Sequence, residues 1–180
     1  MPVRQGKLAG LLVIERPTIG DERGFFRESF RMNELDEARG EPTAFVQENH
    51  SRSRRGVLRG LHWENWEKLV YVPRGTVFTA VADTRLDSPT FGKIETFELG
   101  ETNRWKIFIP RGLAHGYCVL SDEADYTYQV TTYFDGSDTR AVAWNDPDLA
   151  VPWPISDPTL SERDKTAPTM RQLFPDRYSG

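Results

Sequence analysis

Short apolar runs recur between residues 8 and 144 and predict a series of β-strands: "LAGLLVI" (8–14), "FFRESF" (25–30), "AFVQEN" (44–49), "VLRGLHW" (57–63), "KLVYVP" (68–73), "TVFTAVAD" (76–83), "KIETFEL" (93–99), "WKIFIP" (105–110), "HGYCVL" (115–120), "YTYQVTTYF" (126–134) and "RAVAW" (140–144). Turn residues separate many of them, as in "GDERG" (20–24), "PRG" (73–75 and 110–112), "DSPTFG" (87–92) and "DGSD" (135–138). Many short strands punctuated by glycine and proline predict an all-β sandwich or barrel. One stretch reads as a helix, "NELDEAR" (33–39), with Asn33 as its N-cap and Gly40 as its stop. Beyond Trp144 the texture changes to the proline- and aspartate-rich "NDPDLAVPWPISDPTLSERDKTAPT". Proline is excluded from central strands, so this tail is expected to run extended over the β structure. Trp153 and Leu160 give it apolar side chains to pack with, and "SERDK" (161–165) has the capping pattern of a single helical turn. With neither repeat nor linker, residues 1–180 read as one domain.

Composition narrows the class. The chain has 180 residues, 28% charged and 38% hydrophobic, which suits a globular domain with a sizeable core. No stretch approaches the roughly 20 apolar residues of a membrane span, and the N-terminus lacks the basic-then-apolar pattern of a secretory signal. The single cysteine, Cys118, rules out an intrachain disulfide and suits a reducing cytoplasm; within "HGYCVL" it reads as a buried, inert thiol. A net charge of -4 argues against a nucleic-acid partner. In the basic stretch "HSRSRRGVLRG" (50–60), Arg52, Arg54 and Arg55 read as a solvated loop, whereas Arg59 lies inside an apolar run and reads as functional, guanidinium being a bidentate phosphate ligand.

The candidate chemistry lies in polar residues that interrupt strands. In "GVLRGLHWENWEKLVYVPRG" (56–75), Arg59, Gly60 and His62 are poor choices for a purely structural strand. Gln47 and Asn49 share one face of their strand, as do Phe26 and Glu28 of theirs; with Arg59, His62 and His115 they suggest the lining of a polar pocket. Only three histidines are present, none in an H-x-H pair, which is a thin set for a metal centre. No G-x-S-x-G elbow and no glycine-rich phosphate loop occurs. What remains is acid–base chemistry by His, Asp, Tyr and Lys, with no metal and no organic cofactor. In a regular strand Arg59 and His62 point to opposite faces, so both reach one pocket only if the strand is bulged, and Gly60 is where a bulge is tolerated.

Seven segments together resemble the dTDP-4-dehydrorhamnose 3,5-epimerase family: "GDERGFFRESF" (20–30), "FVQENHSRSRRGVLRGLHW" (45–63), "KLVYVPRGTVF" (68–78), "DSPTFGK" (87–93), "IPRGLAHGYCVLSD" (109–122), "WNDPDLAVPWP" (144–154) and "LSERDKTAP" (160–168). The resemblance implies a cupin-like jelly roll (double-stranded β-helix) with a short helix and an extended C-terminal tail, a homodimer, no cofactor, and a nucleotide-diphosphate 4-keto-6-deoxy sugar as substrate. It implies His62 of "LRGLH" as the base, Asp164 of "SERDK" as its supporting carboxylate, and Lys68 near the enolate oxygen. Arg23, Phe26, Glu28, Gln47, Asn49, Arg59 and His115 would bind substrate, with Arg23 and Glu28 reaching it from the partner subunit. Two features depart from the pattern. The stretch "HWENWEK" (62–68) is several residues shorter than in dTDP-sugar members and looks more like the branch acting on GDP-linked sugars. The pair of tyrosines that supplies the opposite-face acid reads Tyr133-Phe134, leaving Tyr133 or Tyr128 to take that role. Trp144 and Trp153 are candidates for stacking on a base or for packing. A 3,4-ketoisomerase, a GDP-linked sugar epimerase and a non-catalytic nucleotide-sugar binding module all stand beside the epimerase reading.

Overall fold

The computed structural model describes residues 2–136 and 140–178; Ser137 and Asp138 of the "DGSD" turn fall outside the described residues. Thirteen strands are present among them: β1 (Val3–Gln5), β2 (Leu12–Ile14), β3 (Ile19–Asp21), β4 (Gly24–Phe26), β5 (Gln47–Arg54), β6 (Leu58–Trp63), β7 (Lys68–Arg74), β8 (Thr76–Asp83), β9 (Ile94–Gly100), β10 (Lys106–Ile109), β11 (Leu113–Val119), β12 (Glu123–Val130) and β13 (Arg140–Ala141). They form a six-stranded sheet in the order β1-β2-β10-β7-β12-β5, a five-stranded sheet in the order β13-β6-β11-β8-β9, and a separate β3–β4 hairpin. From β5 onward successive strands alternate between the two large sheets, except that β8 and β9 are neighbours. This is the jelly roll that the family resemblance implies, and it bears out the all-β class that the strand pattern predicts.

Period-2 patterning assigns the faces. On β7, Val70 and Val72 point between the sheets to meet Val77, Val81, Tyr117 and Tyr126 in the main core. Leu69 of β7 and Phe108 of β10 point outward and are covered by helix α1 (Met32–Arg39), whose Leu35 is fully buried. The outer face of the five-stranded sheet, carrying Leu61, Trp63, Ala80 and Ala114, is covered by the C-terminal tail through Leu149, Trp153 and Met170. The tail therefore packs, in keeping with the apolar Trp153 it carries. Trp153 meets Phe78 with ring centroids 5.5 Å apart and donates its indole N–H to the Trp144 carbonyl at 2.7 Å, so its role is packing.

Several sequence-based boundaries shift. The N-cap of helix α1 lies two residues earlier than expected: Arg31 stands there without a side-chain cap, and Asn33 lies inside the helix. Gly40 closes it in the left-handed region as anticipated, with φ 79° and its N–H bonded to the Asp36 carbonyl. Only Gly24–Phe26 of the "FFRESF" region is strand. The basic stretch after Asn49 is strand rather than loop: β5 runs to Arg54, and Arg52 makes two 2.8 Å hydrogen bonds to the Asp125 carboxylate across the sheet. Arg55 pairs with Asp122. Those charges serve carboxylates of the chain itself. Strand β12 ends at Val130, four residues before Phe134, so strand parity does not extend from Tyr128 to Phe134. Cys118 is buried as expected, and burial pushes its thiol up.

Candidate active site

The expected irregularity is present at Gly60. His62 stands opposite His115 and Arg59 opposite Tyr117, with a register shift between. Three steps along β6 thus match two along β11, the signature of a bulge. Arg59 and His62 consequently face the same side. Gly60 has φ 131°, and its Cα lies so close to β11 that an added Cβ would sit 2.4 Å from the Gly116 Cα. Only glycine fits that backbone and that approach.

The face so produced lines a cavity of about 570 Å³ between the sheets, bounded by Arg59, His62, His115 and Tyr117 on one side and by Asn49, Ser51, Lys68, Tyr126 and Tyr128 on the other. That size suits a small organic molecule. The tail closes the remaining side. Thr159 bridges in parallel to Val57, and the Leu58 N–H donates to the Thr159 carbonyl at 3.1 Å. This sets the start of helix α2 (Glu162–Lys165) beside β6, with Ser161 as N-cap accepting from the Asp164 N–H.

Asp164 is buried and its Oδ1 lies 2.5 Å from His62 Nε2. These residues are 102 positions apart in sequence. Burial pushes the Asp164 carboxyl up, but hydrogen bonds from His62, Ser161 and the Gly60 N–H, together with the imidazole's charge, hold it below the usual range. A buried anionic carboxylate on one ring nitrogen fixes the tautomer and orientation of an imidazole.

His115 is fully enclosed, and burial, with the charges of Lys68 and His62, pushes its imidazole well below the usual value. It is neutral and shares a 2.6 Å hydrogen bond with the Tyr126 hydroxyl. Tyr126 in turn stacks flat on Tyr117, centroids 3.9 Å apart, and the Tyr117 hydroxyl meets Ser51 Oγ at 3.0 Å. Arg59 is steadied by a 3.1 Å bond from its Nε to Ser53 Oγ. Lys68 is almost fully buried and ion-pairs with Glu64. Gln47 sits at the start of β5, donates to Asn49 Oδ1 at 2.8 Å and accepts the Phe134 N–H at 3.1 Å.

The fold thus gathers His62, Asp164, Lys68, Tyr128, Arg59, His115 and Asn49 at one cavity, with Gln47 bonded to Asn49. It does not bring in four others. Tyr133 is 70% exposed and does not line the cavity, because β12 has already ended. Arg23 and Phe26 stand on the projecting β3–β4 hairpin, Arg23 paired with Asp21 and Phe26 68% exposed. Glu28 pairs with Arg16 and Arg31. Sequence reasoning missed Glu64, Ser51 and Tyr117. Glu64 lies in a stretch that reads as a turn, and Tyr117 looks like an ordinary core aromatic. Among the described residues no group of three or more His, Cys, Asp and Glu is arranged to hold a metal ion.

Comparison with known proteins gives a family match over most of the chain. The family model described as dTDP-4-dehydrorhamnose 3,5-epimerase matches residues 5–172. The dTDP-4-dehydrorhamnose 3,5-epimerase of Shigella flexneri is 42% identical over 91% of this chain and 93% of its own. Among solved structures, the 4-keto-6-deoxy sugar epimerase from the novobiocin biosynthetic gene cluster of Streptomyces spheroides superposes with a TM-score of 0.92, at 34% identity over 98% of this chain and 90% of its own. The dTDP-6-deoxy-D-glucose-3,5-epimerase of Legionella pneumophila, solved with dTDP-4-keto-L-rhamnose, superposes with a TM-score of 0.89, at 39% identity over 97% and 95%.

Proposed function

The chain belongs to the dTDP-4-dehydrorhamnose 3,5-epimerase family, and we propose accordingly that it inverts C-3, C-5 or both of a dTDP-linked 4-keto-6-deoxy sugar, with His62 as the base. The observation that carries the assignment is the His62–Asp164 contact of 2.5 Å at the wall of the cavity. Protons on the carbons flanking a ketone are acidified because the resulting carbanion delocalises onto the carbonyl oxygen. Catalysis needs a base on one face of the ring, a cation or donor at that oxygen, and an acid on the other face.

In this reading the Nε2–H of His62 is given to Asp164, and Nδ1 holds the lone pair that removes the proton. Asp164 stabilises the imidazolium that results. The Lys68 ammonium, across the cavity on the other sheet, neutralises the enolate oxygen. Tyr128, also on that sheet, returns a proton to the opposite face; its location in the cavity favours it over the exposed Tyr133. Its phenol is pushed up by burial first, so it carries its proton at neutral pH. Arg59 binds the diphosphate.

The same reading takes the functional unit as a homodimer acting in the cytoplasm. The β3–β4 hairpin exposes Ile19, Phe25 and Phe26 together with Arg23, an apolar arm with a cation suited to entering a partner's nucleotide site. The test is proton NMR of dTDP-4-keto-6-deoxyglucose incubated with the enzyme. A product inverted at C-3 or C-5 supports the reading. A carbonyl moved to C-3 would instead make the protein a 3,4-ketoisomerase, and tight binding without reaction would make it a binding module.

A further inference from the structure

The turn joining β6 to β7 comprises residues 64–67 only, and its shortness puts two side chains at the cavity that the resemblance did not assign. Glu64 ion-pairs with Lys68, the two side chains being 10% and 8% exposed. Trp66, also buried, takes the Phe134 ring edge-on, with centroids 6.1 Å apart and planes at 88°. Together with His62, Tyr128 and Asn49 these residues bound a side chamber of about 320 Å³. Where the resemblance expects a second phenol, this chain has an apolar wall, and beside that wall it has a carboxylate. Glu64 is the one carboxylate among the chamber's described lining residues.

We propose that Glu64 is a positioning residue for the reaction: its carboxylate holds the Lys68 ammonium in the cavity and stands in the side chamber with Tyr128, the phenol that donates. The proposal rests on Lys68 and Tyr128 acting in the epimerase reaction as its cation and its acid. A lysine stem is flexible, and an ion pair across a four-residue spacing restricts where its ammonium goes. A nearby negative charge disfavours tyrosinate. For Tyr128 that effect is the second cause of its raised titration, after burial, and Tyr117 adds to it while Arg59 opposes it. The other charged or titratable groups lining the two chambers are Lys68, His50 and Tyr126 on the same sheet, His62 and His115 on the opposite one, and Asp164 and Arg163 of the tail, Arg163 giving its Nη2–H to the Arg140 carbonyl at 3.0 Å. With Phe134 unable to donate, Tyr128 is the phenol that remains in the chamber, and the Glu64 carboxylate adds to the effect of burial on it.

The experiment compares wild type with Glu64→Gln, which keeps the shape and removes the charge. Steady-state kcat and KM are measured across pH, and the Tyr128 titration is followed by NMR of tyrosine labelled at Cζ, assigned with Tyr128→Phe. The expected result is a kcat at least about tenfold lower, a KM changed by less than about threefold, and a Tyr128 titration and alkaline limb of kcat both displaced about one pH unit downward. Glu64→Asp should recover most of the kcat. An unchanged Tyr128 titration overturns the proposal, and so does a lowered kcat with the alkaline limb in its wild-type place, which is what a packing role would give. If Glu64→Gln does not fold, Glu64→Asp is read the same way, with a smaller displacement in the same direction expected and none overturning the proposal. A wild-type enzyme that turned over nothing would sink the reaction reading but leave the NMR titration to decide the influence of Glu64 on Tyr128.

Discussion

Arg59 and His62 lie three residues apart on β6, yet they face one cavity because they stand opposite Tyr117 and His115, two residues apart on β11. The odd step is absorbed at Gly60, whose Cα lies against Gly116 of β11. One backbone irregularity therefore brings to one wall of the cavity the two side chains proposed to bind the diphosphate and to act as the base.

Gly60→Ala is expected to damage both stability and activity. The added Cβ would meet the Gly116 Cα at 2.4 Å and the His115 carbonyl oxygen at 2.9 Å, at a φ of 131°. Backbone offers no rotamer by which to escape. The loss should be about 2 kcal/mol or more, measured by urea unfolding. A variant within about 0.5 kcal/mol of wild type would mean that β11 can move away.

Tyr128→Phe and Tyr133→Phe should behave oppositely. Removing the enclosed phenol should lower kcat by about 10²-fold or more, the usual contribution of a positioned acid. Removing the exposed one should leave kcat within about twofold, consistent with its 70% exposure. Equal losses in the two variants, or a loss only in Tyr133→Phe, would move the acid to the segment after β12.

Stability should decline on mild acidification because of His115. Its folded-state value lies well below the ordinary 6.5, so below that pH the unfolded chain binds a proton that the folded chain does not. The neutral histidine's contribution is whole above about pH 6.5 and diminishes as pH falls, by up to about 1.4 kcal/mol per pH unit. Asp164 is depressed as well, but as a carboxylate its contribution is lost only below about pH 4. Urea midpoints between pH 8 and pH 5 should show the His115 slope in wild type and a flatter one in His115→Gln. Parallel slopes would assign the effect to another group.

If the hairpin serves the neighbouring subunit, Arg23→Ala and His62→Ala should complement each other. Each variant alone should be impaired. In a mixed dimer, the cavity of the Arg23→Ala subunit retains His62 and receives the partner's intact Arg23. Mixing the two after mild unfolding and refolding should raise activity above the sum of the parts. No gain, with mixed dimers demonstrated by mass spectrometry, would confine Arg23 to its own chain.

The strands that frame the site are legible in the sequence because their apolar runs are bounded by glycine and proline. Strands β6 to β10 fall within a residue or two of where the pattern puts them. The bulge is legible for a stereochemical reason, since period 2 cannot otherwise reconcile Arg59 with His62. The pattern cuts strand β5 short because its inward positions beyond Asn49 are Ser51 and Ser53, which serve Tyr117 and Arg59 and leave no apolar alternation. It overextends strand β12 because Thr131 to Phe134 continue the β-branched and aromatic texture without a breaker. Glu64 is invisible to it because that residue's importance depends on the ion pair that a short turn creates. The His62–Asp164 pairing cannot come from local pattern at all, with 102 positions between them; it comes from the family resemblance, and the packing of the tail gives it a physical cause.

The most direct test is solvent exchange in heavy water, comparing wild type with His62→Ala and Asp164→Asn on dTDP-4-keto-6-deoxyglucose. Wild type should place deuterium at C-3, C-5 or both. Folded His62→Ala should place none, and Asp164→Asn should exchange about 10²- to 10⁴-fold more slowly. Wild-type exchange rates in His62→Ala would contradict the assignment of His62 as the base, and with it the central role of the His62–Asp164 pair.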